Sequence, residues 1–142
     1  MTSKPVIVER TYGASMERVW RAITEIDQIR RWFLDSIDAF LPEVGFEFTF
    51  CGGKDGRTYT HRCRVTEVIQ GKKLTYSWRY EGNEGDSLVT FELFAERAGT
   101  RLKLTHEGIE TFPSSNPDFA VENFIEGWTH LVGVSIRELV NG

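Results

Sequence analysis

Apolar and polar residues alternate with a period of two through the middle of this chain, and recur with a helical period towards both ends. Val6-Ile7-Val8-Glu9-Arg10-Thr11-Tyr12 is β-branched and alternating, which predicts a first strand stopped at Gly13. From Val44 the period of two takes over. Phe46, Phe48 and Phe50 share one face, and the chain returns after Gly52-Gly53-Lys54-Asp55-Gly56 through Tyr59, His61, Cys63 and Val65. Gly71 turns it again into Leu74, Tyr76, Trp78 and Tyr80, which alternate with Lys73, Thr75, Ser77 and Arg79. A loop from Gly82 to Asp86 precedes Val89, Phe91, Leu93 and Ala95, and the turn Ala98-Gly99 precedes Leu102, Leu104 and His106.

Helical spacing predicts three further elements. Ser15 is a candidate N-cap for a short helix through Val19, Trp20 and Ile23, and Asp27 for a second carrying Ile29, Trp32 and Phe33. The stretch from Leu34 to Pro42 reads as an irregular crossing. The last stretch, Asn116 to Val140, reads as one amphipathic helix of roughly six turns. Asn116 would cap it, Pro117 would open it, and Asp118 would sit where the helix dipole favours negative charge; Asn141-Gly142 would end it. Phe124, Trp128, Leu131 and Leu139 lie on one side, with Glu122, Glu126, His130 and Arg137 opposite. Ser135 falls mid-way on the apolar side. Its hydroxyl either bonds back to the Leu131 carbonyl or points into a cavity.

Short connections between consecutive strands imply an antiparallel meander. One curved sheet with one apolar face must cover that face, and only the terminal helix is long enough to do so. The expected fold class is α+β: a helix-grip fold in which a curved six-stranded antiparallel sheet wraps a long C-terminal helix, with two short helices after the first strand. The 142 residues are expected to form a single domain.

Composition narrows the function. A net charge of -4 without a basic stripe excludes a nucleic-acid surface. The start of the chain shows no apolar signal core and no run approaches membrane-spanning length, so a cytoplasmic protein without membrane insertion is expected. Cys51 and Cys63 read as free thiols, since neither belongs to a CxxC pair and the hairpin register would not oppose them. No HxH, HExxH, GxSxG or P-loop spacing occurs, and no metal or cofactor is expected. Aromatic residues reach 13%, with ten Phe and four Trp. They either fill a solid core or line a space.

The order of elements resembles the helix-grip superfamily of START domains, birch-pollen allergens and polyketide cyclases, and within it the branch named for the activator of heat shock protein 90 ATPase. The resemblance rests on Ala14, Val19-Trp20, Ile23-Thr24, Ile29 and Trp32-Phe33 near the start. It continues through Gly45-Phe46-Glu47-Phe48, Leu74 to Trp78, Val89-Thr90-Phe91, Gly99-Thr100, Leu104-Thr105-His106-Glu107-Gly108 and Gly127-Trp128. Ser15-Met16 and Glu25-Ile26 stand where that branch usually has proline, so the helix starts are expected to rest on Ser15 and Asp27.

A gap between a bent sheet and its helix would be lined by Phe48, Tyr76, Trp78, Phe91 and Trp128, with polar points at His61, His106 and Ser135. These are the candidate ligand-binding residues. The leading expectation is a non-enzymatic protein that holds a small hydrophobic or aromatic ligand there. The resemblance implies a second reading, a partner chaperone whose ATPase this chain stimulates. A third is a cyclase- or hydratase-type enzyme using His61 or His106, although each histidine has a plain core reading beside it.

Overall fold

Each strand of this protein has one apolar face to hide, and the chain hides them together. The computed structural model describes residues 4–33, 37–54 and 56–141. Strands β1 (Val6–Tyr12), β2 (Glu47–Lys54), β3 (Arg57–Ile69), β4 (Lys73–Tyr80), β5 (Ser87–Glu96) and β6 (Gly99–Glu107) form one antiparallel sheet in the order β1-β6-β5-β4-β3-β2. The register shifts between Val65 and Glu67, a bulge of the kind that bends a strand and adds to sheet curvature. Gly99 lets β6 begin against the end of β1. With φ at +151°, a Cβ there would lie 1.9 Å from the Tyr12 carbonyl oxygen.

Register places the inward side chains in rows across the sheet. Phe50, His61 and Tyr80 are directly opposed on β2, β3 and β4. The next row holds Phe48, Cys63, Trp78 and Ser87, and the one after it Val65, Tyr76, Val89, His106 and Val6. A deeper row carries Leu74, Phe91, Leu104 and Val8. These rows are buried, while the interleaved residues Arg62, Arg64 and Arg79 are exposed. The α+β helix-grip architecture expected from the sequence is the one found.

Helix α1 (Met16–Thr24) starts as expected, with the Ser15 hydroxyl accepting the Arg18 amide at 3.1 Å. Helix α2 (Ile26–Trp32) does not start on Asp27. Glu25 ends α1 and caps α2 at once, without a side-chain bond, so Asp27 lies inside the first turn, where its charge still suits the dipole. The Trp32 indole N–H donates to the Ala22 carbonyl at 2.7 Å and locks the two helices together. The crossing is irregular from Ile37 onward, and Leu34 lies outside the described residues, as do Asp55 of the β2–β3 turn and Gly142 of the expected terminal cap.

The single long terminal helix needs correction in its detail. Asn116 caps a 3-10 turn, Pro117–Phe119, with its side-chain oxygen accepting the Asp118 amide at 2.9 Å. Ala120 is extended, at φ −64° and ψ 142°, so the helix proper begins one residue later with α3 (Val121–His130). It continues through a π-helical turn, Leu131–Ser135, into α4 (Ile136–Asn141). The buried stripe is Phe124, Trp128, Val132, Ile136 and Val140, a strict step of four. An α-helix turns about 100° per residue, so such a stripe drifts about 40° per step. The wider π turn takes back part of that drift and keeps the stripe on the sheet. Leu131, Ser135 and Leu139 are therefore only half-buried, and Ser135 is not the centre of the apolar face.

The π turn is held from outside the helix. The Tyr12 hydroxyl, fully buried, donates to the Val132 carbonyl at 2.6 Å, and the Arg137 guanidinium lies over the Tyr12 ring at 5.5 Å. Replacing Tyr12 with Phe leaves that carbonyl unpaired in a dry place. We expect Tyr12→Phe to lose about 1–3 kcal/mol of stability, read as a lower urea midpoint at unchanged slope. A midpoint equal to that of the parent would show that the bond does not hold the turn.

Candidate functional site

Between the open end of the sheet and α3 lies a cavity of about 600 Å³. The row Phe50, His61 and Tyr80 forms its floor with Trp78, and Phe33 at the end of α2 closes one side. The helix contributes Asn123, Phe124, Gly127, Trp128 and Leu131, which share one stripe of α3, and Glu126 and His130 stand exposed at the rim. Tyr59, Asp118 and Phe119 close the far end. The rings on its wall meet in several geometries: Phe50 against Trp78 edge-on at 5.4 Å and 73°, Trp78 against Trp128 tilted at 5.6 Å and 59°, and Phe33 stacked on Trp128 at 6.1 Å and 29°.

Of the residues expected around a ligand, His61, Trp78 and Trp128 are on the cavity wall. Phe48, Tyr76 and Phe91 sit deeper, around a void of only about 10 Å³, which is solid core. His106 is fully buried behind Trp128, and Ser135 is on neither. The wall residues not picked out from the sequence include Phe33, Phe50, Tyr59, Tyr80, Asp118, Phe119 and, on α3, Asn123, Phe124 and Gly127. Tyr80 was in phase with Trp78 and so legible; Asp118 and Phe119 were hidden by reading their turn as helix.

His106 is a link in a chain that crosses the molecule. The Trp128 indole N–H, which can only donate, gives its proton to His106 Nδ1 at 3.0 Å. That fixes the proton on Nε2, which faces the Ser87 hydroxyl at 2.8 Å, and Ser87 donates onward to the Trp78 carbonyl at 2.7 Å. Burial drives the His106 pKa down to about 3, so the ring is neutral at pH 7. Both nitrogens are committed, which leaves His106 no proton to exchange with a guest.

His61 differs in one respect. Its Nδ1 faces the Phe50 carbonyl at 3.3 Å, and a carbonyl only accepts, so Nδ1 carries the proton and Nε2 bears a lone pair. Burial lowers its pKa to about 4 against the opposing pull of the Phe50 and Tyr59 main chain. Its ring stacks on Phe50 at 4.4 Å and lies 4.7 Å from Tyr80. Burial also raises the Tyr80 phenol well above its ordinary value, so it stays protonated.

At the far end a polar knot fixes the 3-10 turn to β3. Arg57 grips Asp118 with two contacts of 2.6 Å, Tyr59 donates to the same carboxylate at 2.6 Å, and Asn116 donates to the Tyr59 oxygen at 3.0 Å. This places Phe119 at 4.6 Å from Tyr80 and 5.2 Å from Tyr59, as a wall of the cavity. Among the described residues no group of three or more His, Cys, Asp or Glu comes together to hold a metal, and the buried Cys63 is a free thiol.

A family model described as Activator of Hsp90 ATPase homolog 1-like protein matches residues 13–141. The chain belongs to this family. Solved structures agree. Protein BH1534 from Bacillus halodurans is 28% identical over 99% of each chain with a TM-score of 0.76. Protein MLL2253 from Mesorhizobium loti is 27% identical over 97% of each with a TM-score of 0.78. CalU16 from Micromonospora echinospora is 27% identical over 96% of this chain and 73% of its own, with a TM-score of 0.71. No curated protein sequence matches. Membership in the Activator of Hsp90 ATPase homolog 1-like family, within the START-like helix-grip superfamily, supports a ligand-binding domain as the general role. No helix among the described residues is long and apolar enough to cross a membrane.

The two histidines give a signed pH dependence. Both have folded pKa values below the usual 6.5, so between about pH 6.5 and 4 the unfolded chain binds protons that the fold refuses. Stability is full above that window and falls as pH drops into it, by up to about 1.4 kcal/mol per pH unit for each histidine. Denaturant midpoints measured from pH 7 to pH 5 should therefore decline, and His106→Gln should start lower but decline less. A flat profile in the parent protein would remove the assignment.

Proposed function

We propose that this protein binds a small, largely apolar aromatic ligand in the cavity between its sheet and α3, without transforming it. The observation that carries this is the cavity itself. Its volume of about 600 Å³ falls inside the range of small-molecule sites, roughly 300–1,000 Å³, and its lining is aromatic with a few convergent polar atoms. A core built from so many aromatic side chains normally closes to crystal-like density, as this one does around Phe48, Tyr76 and Phe91.

Gly127 supports the reading. It lies inside α3, where glycine costs about 1 kcal/mol relative to alanine, and it stands on the cavity-lining stripe between Asn123 and Leu131. A Cβ added there would meet no atom within 4 Å. The helix forgoes propensity at a lining position where a side chain would find open space. His61, Trp78 and Trp128, expected as ligand contacts from the sequence, belong to this site; Phe48, Tyr76 and Phe91 support it from behind, and His106 fixes Trp128. Only the family name carries the chaperone-stimulating reading, which would use the outer face of the sheet.

Filling the cavity tests this without dismantling the core. Gly127→Leu should fold at least as stably as the parent, because helix propensity rises. It should weaken binding of an uncharged apolar fluorescent probe such as N-phenyl-1-naphthylamine or Nile red at least tenfold. If the parent binds neither probe, or the filled variant binds both equally well, the cavity is not a ligand site.

A further inference from the structure

The cavity wall displays an unusual pairing of polar atoms that narrows the ligand class, an inference that rests on the ligand-binding reading above. His61 and Tyr80 are directly opposed on β3 and β4, with rings 4.7 Å apart, and both are more than nine-tenths buried, at 7% and 8% exposure. Among the described residues neither the His61 Nε2 nor the Tyr80 hydroxyl has a hydrogen-bond partner of good geometry, and both side chains line the cavity. Among the described residues the one sealed polar atom without a partner is the neighbouring Trp78 indole N–H. It lies near enough to the Tyr80 oxygen to oppose the rise in its pKa, though not aligned as a full hydrogen bond.

The two groups are thus complementary: with its proton on Nδ1, His61 Nε2 accepts only, and the Tyr80 hydroxyl can donate. A ligand that displaces water from them without replacing its hydrogen bonds incurs about 1–3 kcal/mol of desolvation at each. We propose that the ligand is a neutral aromatic compound bearing a hydroxyl group, which donates to His61 Nε2 and accepts from the Tyr80 O–H.

A carboxylate does not fit the same place. It would set two acceptors face to face at His61, and among the described residues no lysine or arginine lines the cavity to offset its charge. The carboxylates on the lining, Glu126 at the rim and Asp118 at the far end, disfavour an anion further. An ether supplies only half the pattern, accepting from Tyr80 but offering nothing to His61. With the proton of His61 held on Nδ1 by the Phe50 carbonyl, and its pKa lowered to about 4, this preference holds at neutral pH.

The test compares naphthalene, 2-methoxynaphthalene, 2-naphthol and 2-naphthoate at pH 7, by displacement of a bound apolar dye or by quenching of tryptophan fluorescence. We expect 2-naphthol to bind about tenfold tighter than naphthalene, with 2-methoxynaphthalene between them and 2-naphthoate weakest. Tyr80→Phe, which removes one oxygen and keeps the ring, should cut the naphthol-to-naphthalene ratio about fivefold. His61→Phe should bring 2-naphthol down to the level of its methyl ether. Equal binding of naphthalene and 2-naphthol by the parent protein overturns the inference but leaves the apolar site standing. Tightest binding of 2-naphthoate overturns it as well. If none of the four binds, the ligand-binding reading falls and takes this one with it. The parent series decides the matter even where a variant fails to fold.

Discussion

The contact on which this structure turns is a hydrogen bond between two rings, from the Trp128 indole to His106. It is the point where the terminal helix is tied to the sheet by direction as well as by burial. The relay from Trp128 through His106 and Ser87 to the Trp78 carbonyl runs from α3 across β6 and β5 to β4. Hydrophobic burial alone would let the helix roll or slide on the sheet, since it has no preferred direction. A donor-only group meeting an acceptor nitrogen does not allow that. The relay sets the pose of Trp128, and Trp128 sets one wall of the cavity.

What keeps the cavity open is a division between the two ends of the sheet. Towards the deep end, Trp32 meets Phe91 edge to face and Tyr76 meets it tilted, and Ile23, Ile29 and Ile37 close around them with almost no free volume. Towards the open end the helix presents Gly127, and the sheet presents stiff aromatic rings that cannot fold into the space left. The 3-10 turn then caps the gap from the side. Phe119 would fall inward if it were free, but Arg57, Tyr59 and Asn116 hold the Asp118 carboxylate and its turn in place. The space persists because its walls are pinned by polar contacts outside it, so collapse would break bonds as well as move rings.

The fold was legible from the sequence wherever one periodicity ran without interruption. Leu74, Tyr76, Trp78 and Tyr80 could belong only to a half-buried strand, and the short turns between strands left only a meander. The helix was legible as an element but not in phase. A step of four from Phe124 to Val140 reads as drift on an ideal helix, so Leu131, Ser135 and Leu139 were drawn onto a face that Val132 and Ile136 occupy. Only the carbonyl contact from Tyr12, distant in the chain, reveals that the turn widens there. Asp27 misled for a related reason, because a cap is set by backbone geometry and Glu25 had already taken it. Part of the site could be read. Alternation placed His61 and Trp78 inward and helical spacing placed Trp128, but depth along the sheet separates Trp78 from Tyr76, and depth depends on where the helix starts.

The same residue type serves two ends here, and the difference lies in what is left over. His61 and His106 are both buried, both neutral at pH 7 and both among aromatic rings. Composition, burial and pKa would give them the same role. Counting donors and acceptors does not. Trp128 and Ser87 use up both nitrogens of His106, and the imidazole becomes part of the frame. Phe50 uses one nitrogen of His61, and the other faces the cavity opposite a phenol whose oxygen is backed by an indole N–H. A guest that displaces water from such atoms must replace its hydrogen bonds, so one that pairs them avoids a cost that a purely apolar guest incurs.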